Sequence, residues 1–184
     1  MNEVLQKLLL VIAVVLFFIA GCATTHKSSY TITGDRIEFP YYGLSIMRPS
    51  NDFEMLEKEM IGEWELVVWK NKKLGIVIGI SVWGADLNYQ EINEIFAKYI
   101  CDGFRQDYPD VSYKIKNAKE VIIRNKKFHQ TEIFLYGISA NIAFKTVLYL
   151  YKTNDFIFHF AFLEDRSDFL TTQMMQSVTF FEGK

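Results

Sequence analysis

Apolar positions along the chain follow three successive patterns. From Leu8 to Ile19 they run without a break (LLLVIAVVLFFI), behind a polar start, Met1 to Lys7, that carries one lysine. From Ala23 to Arg36 no apolar period is sustained and Ser and Thr are frequent, which reads as a flexible tether. Beyond Ile37, period-two alternation dominates. Tyr42 to Met47, Trp64 to Lys70 and Leu74 to Trp83 are rich in β-branched and aromatic residues and predict strands, with Asn71-Lys72-Lys73 as a hairpin turn between the last two. From Asn88 to Tyr108 the period changes. Ile92, Ile95, Phe96, Tyr99, Ile100 and Gly103 share one side at helical spacing, and Glu91, Glu94, Lys98, Asp102 and Arg105 share the other. Asn88 with Glu91 three residues on forms a capping box, and Pro109 follows the helix end.

Four more strand-like runs follow: Val111 to Lys116, Glu120 to Tyr136 broken at Asn125-Lys126-Lys127, Ile142 to Lys152, and Phe156 to Leu163. A second helix is predicted from Ser167 to Ser177, with Phe169, Leu170, Met174 and Val178 on its apolar side. In the last strand, Phe156, Phe158, Phe160 and Phe162 line one face and Ile157, His159, Ala161 and Leu163 the other, so both faces are apolar and both need cover. Leu74, Ile76, Ile78, Ile80 and Val82 line one side of their strand, and Gly75, Val77, Gly79 and Ser81 make a small side on which a helix can pack closely. The architecture expected from this is α+β: one mostly antiparallel sheet of about six to seven strands with helices on both faces, an α/β/α sandwich.

The apolar run ends in Ile19-Ala20-Gly21-Cys22, which resembles the bacterial lipobox. Small residues allow an extended backbone to enter a peptidase cleft, and a thiol is the nucleophile that accepts a diacylglyceryl group. The resemblance implies that residues 1–21 are a cleaved signal peptide, that Cys22 is acylated, and that 22–36 is the tether to one globular domain over 37–184. Two or more acyl chains anchor stably where one is marginal. Asp after the cysteine is the usual inner-membrane retention signal; Ala23 stands there, which implies outer-membrane sorting on the periplasmic face in a Gram-negative host. An uncleaved transmembrane helix is the alternative, since residues 8–25 carry no charge, but Thr24 and Thr25 shorten its apolar part. Both readings put the domain outside the cytoplasm.

Tyr42-Gly43-Leu44-Ser45-Ile46 followed by Arg48-Pro49, and Met174 to Phe180 (MMQSVTF), are similar to the opening strand and closing helix of the PsbP/Mog-like superfamily, which includes DcrB-type lipoproteins. Asn51-Asp52-Phe53 departs from the Trp that many members carry after the proline. That superfamily hosts photosystem subunits, a Ran-binding factor and envelope lipoproteins, so the resemblance implies a fold and transfers no functional residue.

Sixteen Phe and ten Tyr mark a composition that folds around a core. A net charge of −2 argues against a nucleic-acid partner. With Cys22 used by the anchor, Cys101 has no partner in the chain and reads as a partly buried, inert thiol rather than an intermolecular bridge. His26, His129 and His159 are far apart in sequence, so neither a metal nor a cofactor is expected. His159 reads as a satisfied core residue before a ligand or base, and His129, beside a turn, as solvated. Gly75-Ile76-Val77-Ile78-Gly79 reads as strand packing. Asp165 and Asp168 read as caps of the second helix, not an acid–base pair. The basic turns Asn71-Lys72-Lys73 and Asn125-Lys126-Lys127 read as solvated hairpin tips, the alternative being contact with anionic headgroups. The expected role is non-catalytic: an envelope lipoprotein bound to the membrane by its lipid, with a protein partner or an assembly function. The alternative is a carrier of a small apolar or aromatic molecule.

Overall fold

The two-sided apolar strands are the interior of the fold. A computed structural model describes residues 30–55, 59–61, 64–71, 73–138, 142–163 and 168–181. The strands are β1 (Thr31–Thr33), β2 (Arg36–Phe39), β3 (Leu44–Met47), β4 (Glu54–Met55), β5 (Glu59–Ile61), β6 (Trp64–Asn71), β7 (Ile76–Gly84), β8 (Ser112–Ile123), β9 (Lys126–Gly137), β10 (Ile142–Lys152), β11 (Phe156–Leu163) and β12 (Thr179–Phe180). The helices are α1 (Tyr89–Arg105) and α2 (Phe169–Gln176). A large antiparallel sheet has the order β4-β6-β7-β11-β10-β9-β8, with β5 also on β6, and a small one the order β1-β2-β3-β12.

The expected sandwich of a single six- to seven-strand sheet with helices on both faces is therefore corrected. Among the described residues there are two sheets, of eight and four strands, and the face opposite α1 is covered by the small sheet. The reason is visible in β2 and β3, whose Ile37, Phe39, Leu44 and Ile46 are fully buried against the Phe158, Phe160 and Phe162 row of β11. Burying one such phenylalanine contributes about 1.5–3 kcal/mol, and a short sheet supplies the flat apolar cover as well as a helix would. The eight-residue α2 adds Met174 and Met175 to that core, followed by Val178. The second face, as the alternation implied, carries Ile157, His159 and Ala161 against Ile92, Phe96, Ala97 and Ile100 of α1.

The small sheet begins earlier than the tether reading allowed. Thr31 pairs with Glu38 and Thr33 with Arg36 across a turn holding Gly34 at φ 60°, and Tyr30 is already buried. The motif residues act structurally. Ser177 Oγ donates to the Met174 carbonyl (2.6 Å) and accepts from the Met47 amide (2.8 Å), while Arg36 Nη2 donates to the Ser177 carbonyl (2.8 Å), so the end of α2 is tied to β2 and β3.

The Asn88–Glu91 capping box forms as expected, each side chain accepting from the other's backbone N–H at 3.0 and 2.8 Å. Asn71 ends β6 and its Oδ1 accepts from the Lys73 and Leu74 amides before Gly75 turns at φ 71°. Gly75 thus belongs to the turn, and Ile76 to Gly79 to β7. On the outer strand β8, pairing with β9 shifts register between Lys116 and Lys119. Among the described residues no helix is long and apolar enough to cross a membrane.

Candidate functional site

Ile19, Ala20, Gly21 and Cys22, with His26, lie outside the described residues, as does Asp165. The other residues singled out from sequence are dispersed rather than gathered. His159 is fully buried between β7 and α1. Trp83 Nε1 donates to Ser81 Oγ at 2.7 Å, and Ser81 Oγ lies 3.0 Å from His159 Nδ1. Ser81 Oγ thus joins the indole and the imidazole in one buried chain of hydrogen bonds. Nε2 has no hydrogen-bonding partner among the described residues, and Phe96 stands edge-on to the ring with centroids 4.4 Å apart. Burial depresses the imidazole pKa to about 3, so the ring is neutral at physiological pH. The network is buried between β7 and β11, closed to substrate, and meets α1 through the Phe96 ring.

Cys101 is also fully buried, its thiol donating to the Val111 carbonyl at 3.3 Å, and burial raises its pKa, which makes it a poor nucleophile. His129 is not the solvated residue expected. It is half-buried, stacked on Tyr89 at 4.7 Å, and burial lowers its pKa. Asp168 holds the position before α2 but in a left-handed conformation (φ 53°) without capping the helix; its carboxylate accepts from Lys145 Nζ at 2.9 Å. Lys126 and Lys127 open β9, the turn itself being Arg124-Asn125; both lysines are exposed, Lys127 3.4 Å from Glu120 and Lys126 over the Phe180 ring.

The residues that do converge were not singled out beforehand. Between the β8–β9 hairpin and α2, where the small sheet ends, lies an open cleft of about 480 Å³. Val121 and Ile123 of β8 and Met175 of α2 form its apolar sides; Gln130 and Tyr149 present an amide and a phenol, and Thr172 and Gln176 border it from the helix. Arg124 closes one end, its Nε donating to the Gln176 carbonyl at 3.0 Å. Gln130 Nε2 donates to Tyr149 Oη at 3.0 Å. Burial, with lesser contributions from Asp168 and Glu132, pushes the Tyr149 phenol up to about 12, so it remains a proton donor. A second hollow of about 330 Å³, lined by Ala118, Lys119, Gln130 and Glu132, adjoins the first through Gln130.

A second surface feature sits at the opposite end of the large sheet. Val77, Leu163, Thr146 and Ile133 lie in register across β7, β11, β10 and β9, so the β6–β7 turn and the β9–β10 connection emerge at the same end. The Lys145–Asp168 pair brings the start of α2 there too. This end displays Leu74, Ile138 and Phe169 at 62, 94 and 71% exposure.

No family model matches the chain and no curated protein matches its sequence. A crystal structure of a protein from Bacteroides thetaiotaomicron aligns with a TM-score of 0.49 at 16% identity over 82% of this chain, which spans half of that protein's length. The solution structure of cyanobacterial PsbP (CyanoP) from Synechocystis is similar with a TM-score of 0.56 at 12% identity, over 87% of this chain and 97% of that one. At that identity the likeness speaks for the fold alone, and the fold of this chain is PsbP-like.

Proposed function

We propose that the chain is an envelope lipoprotein, held at the membrane through acylated Cys22, whose PsbP-like domain is a non-catalytic docking module for another envelope protein. The observation that carries this reading is the display of Leu74, Ile138 and Phe169 at one end of the large sheet. Scattered exposed apolar residues are ordinary, but three carried by turns and a helix start at one end form the kind of surface that a partner covers. His159 and Cys101 are both held in the interior by packing and hydrogen bonds, which supports a non-catalytic reading.

The test is in-cell photocrosslinking from a diazirine amino acid placed at Ile138 or Phe169, with Ile122, exposed at the other end of the sheet, as control. The expected result is a light-dependent adduct at both docking positions in which mass spectrometry identifies the same protein, absent from the control. Adducts to lipid alone, or the same adducts from Ile122, would refute the docking role.

A further inference from the structure

The cleft beside the β8–β9 hairpin is built at some cost. Arg124 and Asn125 form a two-residue turn between Ile123 and Lys126 with φ of 50° and 61°. Such a turn favours Asn and Gly, because a left-handed backbone crowds any larger side chain. Asn125 fits; Arg124 does not. The arginine is nonetheless held there by its Nε bond to the Gln176 carbonyl, which leaves the two terminal guanidinium nitrogens for another acceptor. Gln130 donates to Tyr149 Oη, so the phenolic proton is directed to a different acceptor. Thr172 adds a hydroxyl, and none of the described residues lining this cleft is acidic. Arg124 is thus the one charged residue among the described residues lining the cleft, opposite apolar sides made by Val121, Ile123 and Met175.

We propose that this cleft binds a small amphipathic anion, its single carboxylate or phosphate held by Arg124 and Tyr149 and its short apolar body lying on Val121, Ile123 and Met175. A volume of about 480 Å³ falls in the range of small-molecule sites, and few convergent polar groups on apolar walls is their usual composition. The guanidinium fork matches the two oxygens of such a head group. The site is separate from the docking end of the sheet and stands or falls independently of it. The same head group chemistry is offered by a free organic acid or by an anionic lipid.

The test uses the full chain, carried through its own N-terminal processing, in phosphatidylcholine nanodiscs with ¹³C-methyl-labelled methionine. The Met175 signal is assigned by its loss in Met175→Leu. Hexanoate and hexyl phosphate are titrated as probes, with hexylamine as the charge-reversed control, and in a further arm phosphatidylglycerol is added to the disc. The Met175 methyl should shift saturably with the anionic probes, with the anionic lipid, or with both, and not with hexylamine. A response to the soluble probes assigns the head group to a free acid, and a response to phosphatidylglycerol alone assigns it to lipid. Arg124→Gln should weaken binding at least about tenfold, as expected for a lost charge-assisted bond. Tyr149→Phe removes only the hydroxyl and should weaken binding while the other methionine signals keep their positions. A Met175 signal that ignores every anionic probe, responds equally to hexylamine, or titrates identically in both variants overturns the proposal.

Discussion

Acidifying the medium from pH 7 to pH 5 protonates the unfolded His159 but not the folded one, and the cost can be worked from its surroundings. The imidazole faces Ser81, Trp83 and Phe96, with burial pulling its pKa from 6.5 to about 3. A histidine that is harder to protonate folded than unfolded contributes its full stabilisation above the unfolded pKa, and that contribution is lost as pH falls from about 6.5 toward 3. Linkage between these two values gives a loss of about 0.7 kcal/mol between pH 7 and 6, and about 2 kcal/mol between pH 7 and 5. The assay is urea unfolding of the parent chain and of His159→Gln at pH 7, 6 and 5, followed by tryptophan fluorescence. Glutamine offers Ser81 both a donor and an acceptor and does not titrate, so the variant is destabilised at pH 7 but should lose about 2 kcal/mol less than the parent on going to pH 5. Carboxylates and His129 titrate in both chains and cancel in the comparison. If parent and variant lose equal stability on acidification, the buried imidazole is not the source and the packing of α1 on β11 has been misread.

Asn88→Ala removes the acceptor for the Glu91 amide at the start of α1 and should cost about 1 kcal/mol in chemical denaturation, with Asn88→Ser restoring most of it. At Gly137 an added Cβ would lie 2.9 Å from Val111 Cγ2, a stiff and fully buried side chain; Gly137→Ala should cost about 1–3 kcal/mol and Val111→Ala in the same chain should recover part of it, measured by urea midpoints. Cys101 should resist thiol reagents in the native protein and react at the rate of unfolding in urea; rapid native labelling would contradict its burial. Cys22→Ser should abolish metabolic labelling by palmitate and release the domain from washed membranes, and retention of the label would remove the anchor from the scheme.

What sequence made legible was whatever repeats along a strand or helix. The phenylalanine row of β11 and the capping box of α1 each follow from a period or a fixed offset, and each is present; the small side of β7 holds from Val77 to Ser81, with Gly75 in the turn. Strands of two to four residues show little period; β3 stands out by its apolar run, whereas β1, β2, β4, β5 and β12 leave no such trace in the sequence, and neither does the second sheet they help build. The periodicity puts Phe169 on the apolar side of α2, yet Phe169 is exposed and Met175 is buried, because an eight-residue helix at the border of a core samples too few turns to define a face. Asp168 has the identity of a cap but is drawn to Lys145 on a neighbouring strand. The cleft was the least accessible of all. Its residues come from β8, β9, β10, α2 and one turn, and the left-handed backbone of Arg124 leaves no compositional trace beside an asparagine that accounts for the turn by itself.

The register shift in β8 also governs how neighbouring molecules treat one another. A twelve-residue outer strand is a template on which an identical strand can assemble. Here the ladder falls out of step midway, and Lys114, Lys116 and Lys119 set exposed cationic side chains along the same strand. Two copies of the chain brought edge to edge would meet that interrupted ladder in place of a continuous hydrogen-bonded margin.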